Sequence, residues 1–257
     1  MRGLANKTFI VAGGATGIGA GTARRLAEEG ANVVIGDINI VGATHTAEAL
    51  NAAGGRAIAV EFDLADEASV NQLVDKTIVE FDSLKGLFNV GADLSAEING
   101  SDFTVLDTSI DIWRRTLEVN LLGYVRTIRA VLPHLIEQGA GSIVNTSSGG
   151  SLGTGDPMHV AYNASKAAVN QLTRHVANNY GKDGVRSNCV MPGLVWGETQ
   201  ERAGLHVLQE MFVVAAKTTR VGQASDLAGI TAFLLSDEAE WINGQCWYIG
   251  GAAHMRQ

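Results

Sequence analysis

Between an apolar run, Thr8–Ala12, and the first helical pattern the chain reads Gly13-Gly14-Ala15-Thr16-Gly17-Ile18-Gly19. A strand feeding a helix through such a turn restricts the fold more than any other stretch of this sequence. Glycine permits the tight turn and lets backbone N–H groups approach a pyrophosphate at a helix N-terminus. A glycine motif alone is weak, and the strand–turn–helix context gives it weight. Asp37 follows Gly19 by 18 residues, at the end of a second apolar run. A carboxylate there accepts hydrogen bonds from the adenosine ribose hydroxyls and repels a 2′-phosphate. No Arg or Lys occurs in Gly13–Gly19 or Gly36–Asn39. Both facts favour NAD over NADP. Asp63 lies just past a third apolar run, placed either for an adenine edge or as a helix N-cap.

The alternation continues along the chain. Strands are expected at Thr8–Ala12, Asn32–Gly36, Ala57–Phe62, Gly86–Asn89, Ser142–Thr146, Arg186–Met191 and Gln245–Ile249. Helices are expected at Gly17–Glu29, Val41–Ala53, Glu67–Phe81, Met158–Tyr180 and Ala224–Leu235, with one long helix over Asp111–Gln138 that Pro133 bends or shortens. Strands alternating with helices imply βαβ units and a parallel sheet. The expected fold is α/β, a single doubly wound Rossmann domain over residues 1–257 with a seven-stranded parallel sheet and helices on both faces. Two stretches carry no regular pattern, Ala92–Ser109 and the segment after Gly193. The second, about 194–217, contains Trp196, Leu205, Leu208, Met211 and Phe212 and reads as a loop covering a substrate.

Charge and cysteine content narrow the partners. The formal net charge is −8, which argues against nucleic acid or an anionic membrane. No apolar run reaches the ~18 residues of a membrane span, and no signal-like segment precedes the first strand. Cys189 and Cys246 are too few for a disulfide framework and lack metal-ligand spacing. His175, His206 and His254 also lack such spacing, so no metal is expected. A reduced, cytoplasmic compartment is the expectation.

Tyr162 and Lys166 stand four residues apart in Ala161-Tyr162-Asn163-Ala164-Ser165-Lys166. On a helix they share one face. A neighbouring ammonium favours the phenolate, so the spacing predicts a Tyr162 pKa lowered by Lys166 and a phenol usable as a general acid/base. His159, one turn earlier, could touch substrate or simply line a loop.

Taken together, these residues resemble the short-chain dehydrogenase/reductases in their single-domain form of about 250 residues. The resemblance covers nearly the whole chain and rests on several elements in order. These are the Gly13–Gly19 turn, Asp37, Asp63, Asn89, Asn120 in Val119-Asn120-Leu121, Gly141–Ser148, Tyr162-x-x-x-Lys166 and Pro192-Gly193. The resemblance implies that Ser148 hydrogen-bonds the substrate oxygen and that Tyr162 exchanges a proton with it. Lys166 would hold the nicotinamide ribose and tune Tyr162. Asn120 would seat a water linking Lys166 to solvent. The cofactor NAD would lie on Gly13, Thr16, Gly17, Ile18, Gly19, Asp37, Asp63, Leu64, Asn89 and Gly91, with Pro192, Gly193 and Val195 flanking its nicotinamide. The implied activity interconverts a secondary alcohol and a ketone. The apolar loop suggests a cyclic, aromatic or steroid-like substrate. The family also pairs its long helices across subunits, implying a homotetramer or homodimer.

Departures from the family pattern matter too. Ala12 stands where the family has Thr, and Asn89-Val90-Gly91-Ala92 replaces Asn-Asn-Ala-Gly. The expectation is a slightly looser cofactor floor. The family's Thr after Pro-Gly is displaced, Thr199 being the nearest hydroxyl. Two rival readings stand beside the enzyme. One is a non-catalytic dinucleotide-binding protein on the same fold. The other is a serine hydrolase using Ser151 of Gly149-Gly150-Ser151-Leu152-Gly153, a motif that needs its Ser between a strand and a helix.

Overall fold

The computed structural model describes residues 1–153, 158–197, 209–210, 213–214 and 216–254. Seven strands, β1 (Thr8–Ala12), β2 (Asn32–Asp37), β3 (Arg56–Glu61), β4 (Gly86–Asn89), β5 (Gly141–Thr146), β6 (Val185–Pro192) and β7 (Cys246–Ile249), form one sheet. Its order is β3-β2-β1-β4-β5-β6-β7, and every neighbouring pair is parallel. Among the described residues the helices that flank the sheet include α1 (Gly17–Glu28), α2 (Ile40–Ala52), α3 (Glu67–Phe81), α4 (Ile110–Leu117), α5 (Gly123–Glu137), α6 (Val160–Tyr180) and α7 (Ala224–Leu235).

The central strands are apolar almost throughout because both faces of the sheet are covered. Side chains alternate across a strand. Phe9 and Val11 of β1 therefore join Val33, Ile35, Phe88 and Val144 in one core, closed by Leu26 of α1, Ala43 of α2 and Leu227 of α7. Ile10 and Ala12 point the other way, to Val34, Leu87 and Ile143, under Leu73 of α3, Tyr124 and Ile128 of α5, and Val169 of α6. The expected doubly wound Rossmann sheet is present as a single layered unit.

Strands run outward from β1 to β3 on one side and from β4 to β7 on the other. The reversal falls between β1 and β4, where the C-terminal strand ends open a crevice for ligand. The Gly13 turn leaves β1 there, and Asn89 ends β4 beside it, paired with Ala12.

The long helix expected over Asp111–Gln138 is interrupted. A π-helical turn, Glu118–Leu122, separates α4 from α5. Such turns widen a helix by one residue and recur at functional sites. Arg126 clamps it, donating to the Glu118 carbonyl (3.4 Å) and the Leu64 carbonyl (3.2 Å) and pairing with the Glu118 carboxylate. Pro133 lies inside α5 without ending it, since the helix continues to Glu137. Helix α6 begins at Val160, two residues later than Met158, because His159 takes a left-handed conformation (φ 60). Most of the 194–217 loop, with Thr199, Leu205, His206, Leu208, Met211 and Phe212, lies outside the described residues. Among the described residues no helix is long and apolar enough to cross a membrane.

Candidate active site

The glycine turn is held by backbone contact. Gly13 and Gly14 donate to the Gly36 carbonyl (2.7 and 3.2 Å), and Gly13 has φ 101. A Cβ on Gly13 would stand 2.4 Å from the Gly91 nitrogen. A Cβ on Gly19 would stand 2.0 Å from the Gly13 carbonyl oxygen. The turn and the β4 end thus touch through bare backbone. With no hydroxyl at residue 12, the Ala12 carbonyl does the bracing and accepts from both Val90 and Gly91 at 2.9 Å.

Thr16 leads into α1 without a side-chain cap, and no acidic residue lies in the first turn. The positive end of the helix, with Gly17, Ile18 and Gly19, is therefore left to an anion. Asp37 accepts from Ala15 N–H and Asn39 N–H, each at 2.9 Å. It orders the turn while keeping lone pairs for hydroxyl donors.

Three of the expected cofactor residues are also held by contacts within the protein. Asp63 does not cap a helix, since its carboxylate accepts from Ala65 N–H (2.8 Å) while Asp66 caps α3. Asn89 is fully buried, donating to Asn145 (3.0 Å) and accepting from Thr127 (2.8 Å). Its side chain braces β4 against β5 and α5. Val195 bridges to Gly222 and packs on the core. Leu64 packs beside Gly91 and Gly123, where a Cβ would come within 2.9 and 2.7 Å of its side chain.

The reactive groups converge at the ends of β5 and α6. Ser148, just past β5, accepts from Gly150 N–H at 3.1 Å and lines the same cleft as Tyr162. Lys166, one turn along α6, is buried and donates from Nζ to the Thr146 carbonyl at 2.9 Å. Its ammonium lies 5.1 Å from the Tyr124 ring centroid and 5.7 Å from that of Tyr162. Burial lowers Lys166 from 10.5 to about 8. Burial also pushes the Tyr162 phenol up, and the neighbouring Ser148 hydroxyl pulls it partly back. The expected lowering of Tyr162 by Lys166 is corrected here. Desolvation of the phenol outweighs its partners, and the one that favours the phenolate is Ser148.

Asn120 sits inside the π-helical turn, fully buried. Its Oδ1 accepts from Asp93 N–H at 3.0 Å and its Nδ2 donates to Ser165 Oγ at 3.5 Å. Asp93 in turn pairs with Arg115 at 2.9 Å. The helical irregularity thus ties Asn120 to the loop after β4 and to α6, beside Lys166.

Ser148, Tyr162, Pro192 and Gly193 open on a cleft of about 930 Å³. Leu94, His159, Leu194, Tyr248, Ile249 and His254 also line it. Tyr248 and His254 meet edge-to-face at 5.4 Å between centroids. This C-terminal wall went unread in the sequence, where no motif marks it. Asp102 was missed as well. Ser151 is not placed as a hydrolase nucleophile. It lies in a 3-10 turn, Gly149–Leu152, donating to the Ser148 carbonyl (2.7 Å) and accepting from Asn170 (2.9 Å).

A dinucleotide crevice beside a Ser–Tyr–Lys cluster defines a Rossmann oxidoreductase, and comparison with known proteins agrees. A family model described as enoyl-(acyl carrier protein) reductase matches residues 13–254. The chain is 38% identical over 252 residues to the cis-4-hydroxycyclohexanecarboxylate dehydrogenase of Sinomonas cyclohexanicum, covering 96% of each chain. It is 35% identical over 254 residues to a 2,5-dichloro-2,5-cyclohexadiene-1,4-diol dehydrogenase of Sphingobium indicum, again covering 96% of each. It is 32% identical over 253 residues to the cyclohexanol dehydrogenase of an Acinetobacter species, covering 96% of this chain and 94% of the relative. The chain belongs to the short-chain dehydrogenase/reductase family, whose dehydrogenases use a nicotinamide dinucleotide.

Proposed function

We propose that this protein is an NAD-dependent dehydrogenase interconverting a secondary alcohol and a ketone, with Tyr162 as the general acid/base. The observation that carries the reading is that Ser148 and Tyr162 line one cleft, with the buried Lys166 ammonium anchored behind them on the Thr146 carbonyl. A non-catalytic dinucleotide binder has no need of that cluster.

The residues fit the cofactor. The uncapped start of α1 and the bare Gly13–Gly91 contact suit a pyrophosphate on Gly13, Thr16, Gly17, Ile18 and Gly19. Asp37 would take the adenosine ribose, with Asp63, Leu64 and Gly91 on the adenine side. Pro192, Gly193 and Val195 would flank the nicotinamide, and Lys166 its ribose. The Asp37 carboxylate supports NAD over NADP by repelling a 2′-phosphate. When bound, the nicotinamide accepts or returns a hydride.

In the oxidative direction Tyr162 takes the proton of the substrate hydroxyl, while Ser148 holds the substrate oxygen. Lys166, with its proton affinity lowered by burial, would exchange the proton onward through a water at Asn120. Leu94, Leu194 and Ile249 give the cleft apolar walls, which supports a ring-sized apolar alcohol. The names of the three relatives, each a dehydrogenase of a six-membered carbocycle bearing hydroxyl groups, support the same class. The protein acts as one domain, in the cytoplasm, as a homodimer or homotetramer. The test is a steady-state assay of secondary alcohols, cyclohexanol first, with NAD and with NADP. Turnover preferring NAD is expected, and a clear NADP preference overturns the role of Asp37.

A further inference from the structure

Helix α6 carries both Tyr162 and Lys166, yet its own sequence supplies no side-chain cap. His159, at the cap position, is left-handed and its side chain makes no cap hydrogen bond. The first N–H groups of a helix have no partner within it. Here all four are met by one dipeptide some sixty residues earlier, in the loop after β4. His159 N–H donates to the Asp102 carbonyl (3.0 Å) and Val160 N–H to the Phe103 carbonyl (3.4 Å). Ala161 N–H donates to Asp102 Oδ1 (3.0 Å) and Tyr162 N–H to Asp102 Oδ2 (2.8 Å).

Asp102 is only 1% exposed. A buried carboxylate is retained where its oxygens are hydrogen-bonded, and a helix N-terminus favours its charge. Thr108 adds a donor at 3.5 Å to Oδ1, and its hydroxyl also accepts from Phe103 N–H at 2.8 Å. The loop, the first turn of α6 and the Tyr162 main chain therefore form one hydrogen-bonded unit. The other end of the loop, Asp93, holds Asn120.

We propose that Asp102 is a positioning residue for Tyr162, its carboxylate fixing the Ala161 and Tyr162 N–H groups so that the phenol meets the substrate oxygen. The inference rests on Tyr162 being the acid/base. Misplacing a reacting group by about 1 Å costs roughly a hundredfold in rate. Asp102→Asn keeps the shape but turns one acceptor into a donor facing an N–H. It is expected to lower kcat by roughly 10- to 100-fold, with the dissociation constant for NAD unchanged by fluorescence titration. Thr108→Val, a milder change, is expected to give a smaller loss of the same kind. In the wild-type protein, hydrogen exchange is expected to show the Ala161 and Tyr162 amides as protected as the middle of α6. Rapid exchange at those two amides, or an Asp102→Asn protein with wild-type kcat, overturns the proposal. If Tyr162→Phe itself keeps activity, the failure lies instead with the acid/base assignment.

Discussion

Lys166 donates to the Thr146 carbonyl at 2.9 Å, which anchors a buried ammonium to the end of β5, the strand that leads into Ser148. The proposed catalytic cluster is thus a junction between one strand end and one helix face. Its electrostatics follow from burial more than from mutual attraction. Both Lys166 and Tyr162 are shifted toward their neutral forms, Lys166 down to about 8 and Tyr162 upward.

Ser148 is the group that favours the Tyr162 phenolate. Its removal lets burial push the phenol higher. In alcohol oxidation the phenolate is the active base, so activity is lost as pH falls through the Tyr162 pKa. Ser148→Ala is expected to move that acidic limb of the kcat/KM profile to higher pH and to cost about 10²-fold at neutral pH. An unmoved limb would count against the role of Ser148 in tuning the phenol.

Lys166 offers a stability test with a defined sign. Its folded pKa, about 8, lies below its ordinary 10.5, so unfolding takes up a proton between those values. The burial cost is fully present below about pH 8 and is relieved as pH rises toward 10.5. Lys166→Met removes that dependence. Its melting temperature relative to wild type is expected to be higher near pH 7 than near pH 9.5, as the wild type gains stability across that window. Parallel melting curves with no change in the difference would show that burial does not lower the Lys166 pKa in the folded protein.

The Gly13 contact predicts a joint loss of stability and cofactor affinity. Gly13→Ala combines a left-handed φ with a Cβ 2.4 Å from the Gly91 nitrogen. A destabilisation of roughly 1–3 kcal/mol is expected, with weaker NAD binding. Gly100→Ala, where nothing lies within 4 Å, is the matched control and is expected to be near neutral. Thermal melts and NAD titration of the two variants decide it.

What could be read in the sequence was local or periodic. The strands were legible because a sheet covered on both faces leaves apolar runs such as Phe9-Ile10-Val11 and Val33-Val34-Ile35. Tyr162 and Lys166 were legible because a helix turns their spacing into adjacency. The π-helical turn at Asn120 was not, since it is held by Arg126 reaching Leu64 and Glu118 across the fold. Asp102 and the Tyr248–His254 wall were hidden for the same reason, because their partners are set by tertiary contact rather than by spacing. Asn89 was legible as a strand end, but its direction into the core depends on Asn145 and Thr127.

The central claim is that Tyr162 moves the proton in NAD-linked alcohol oxidation. The most direct measurement compares wild type and Tyr162→Phe for cyclohexanol oxidation with NAD, alongside NAD titration of each. The account predicts a loss of roughly 10²- to 10⁴-fold in kcat with unchanged NAD affinity. A variant that turns over like the wild type would contradict it.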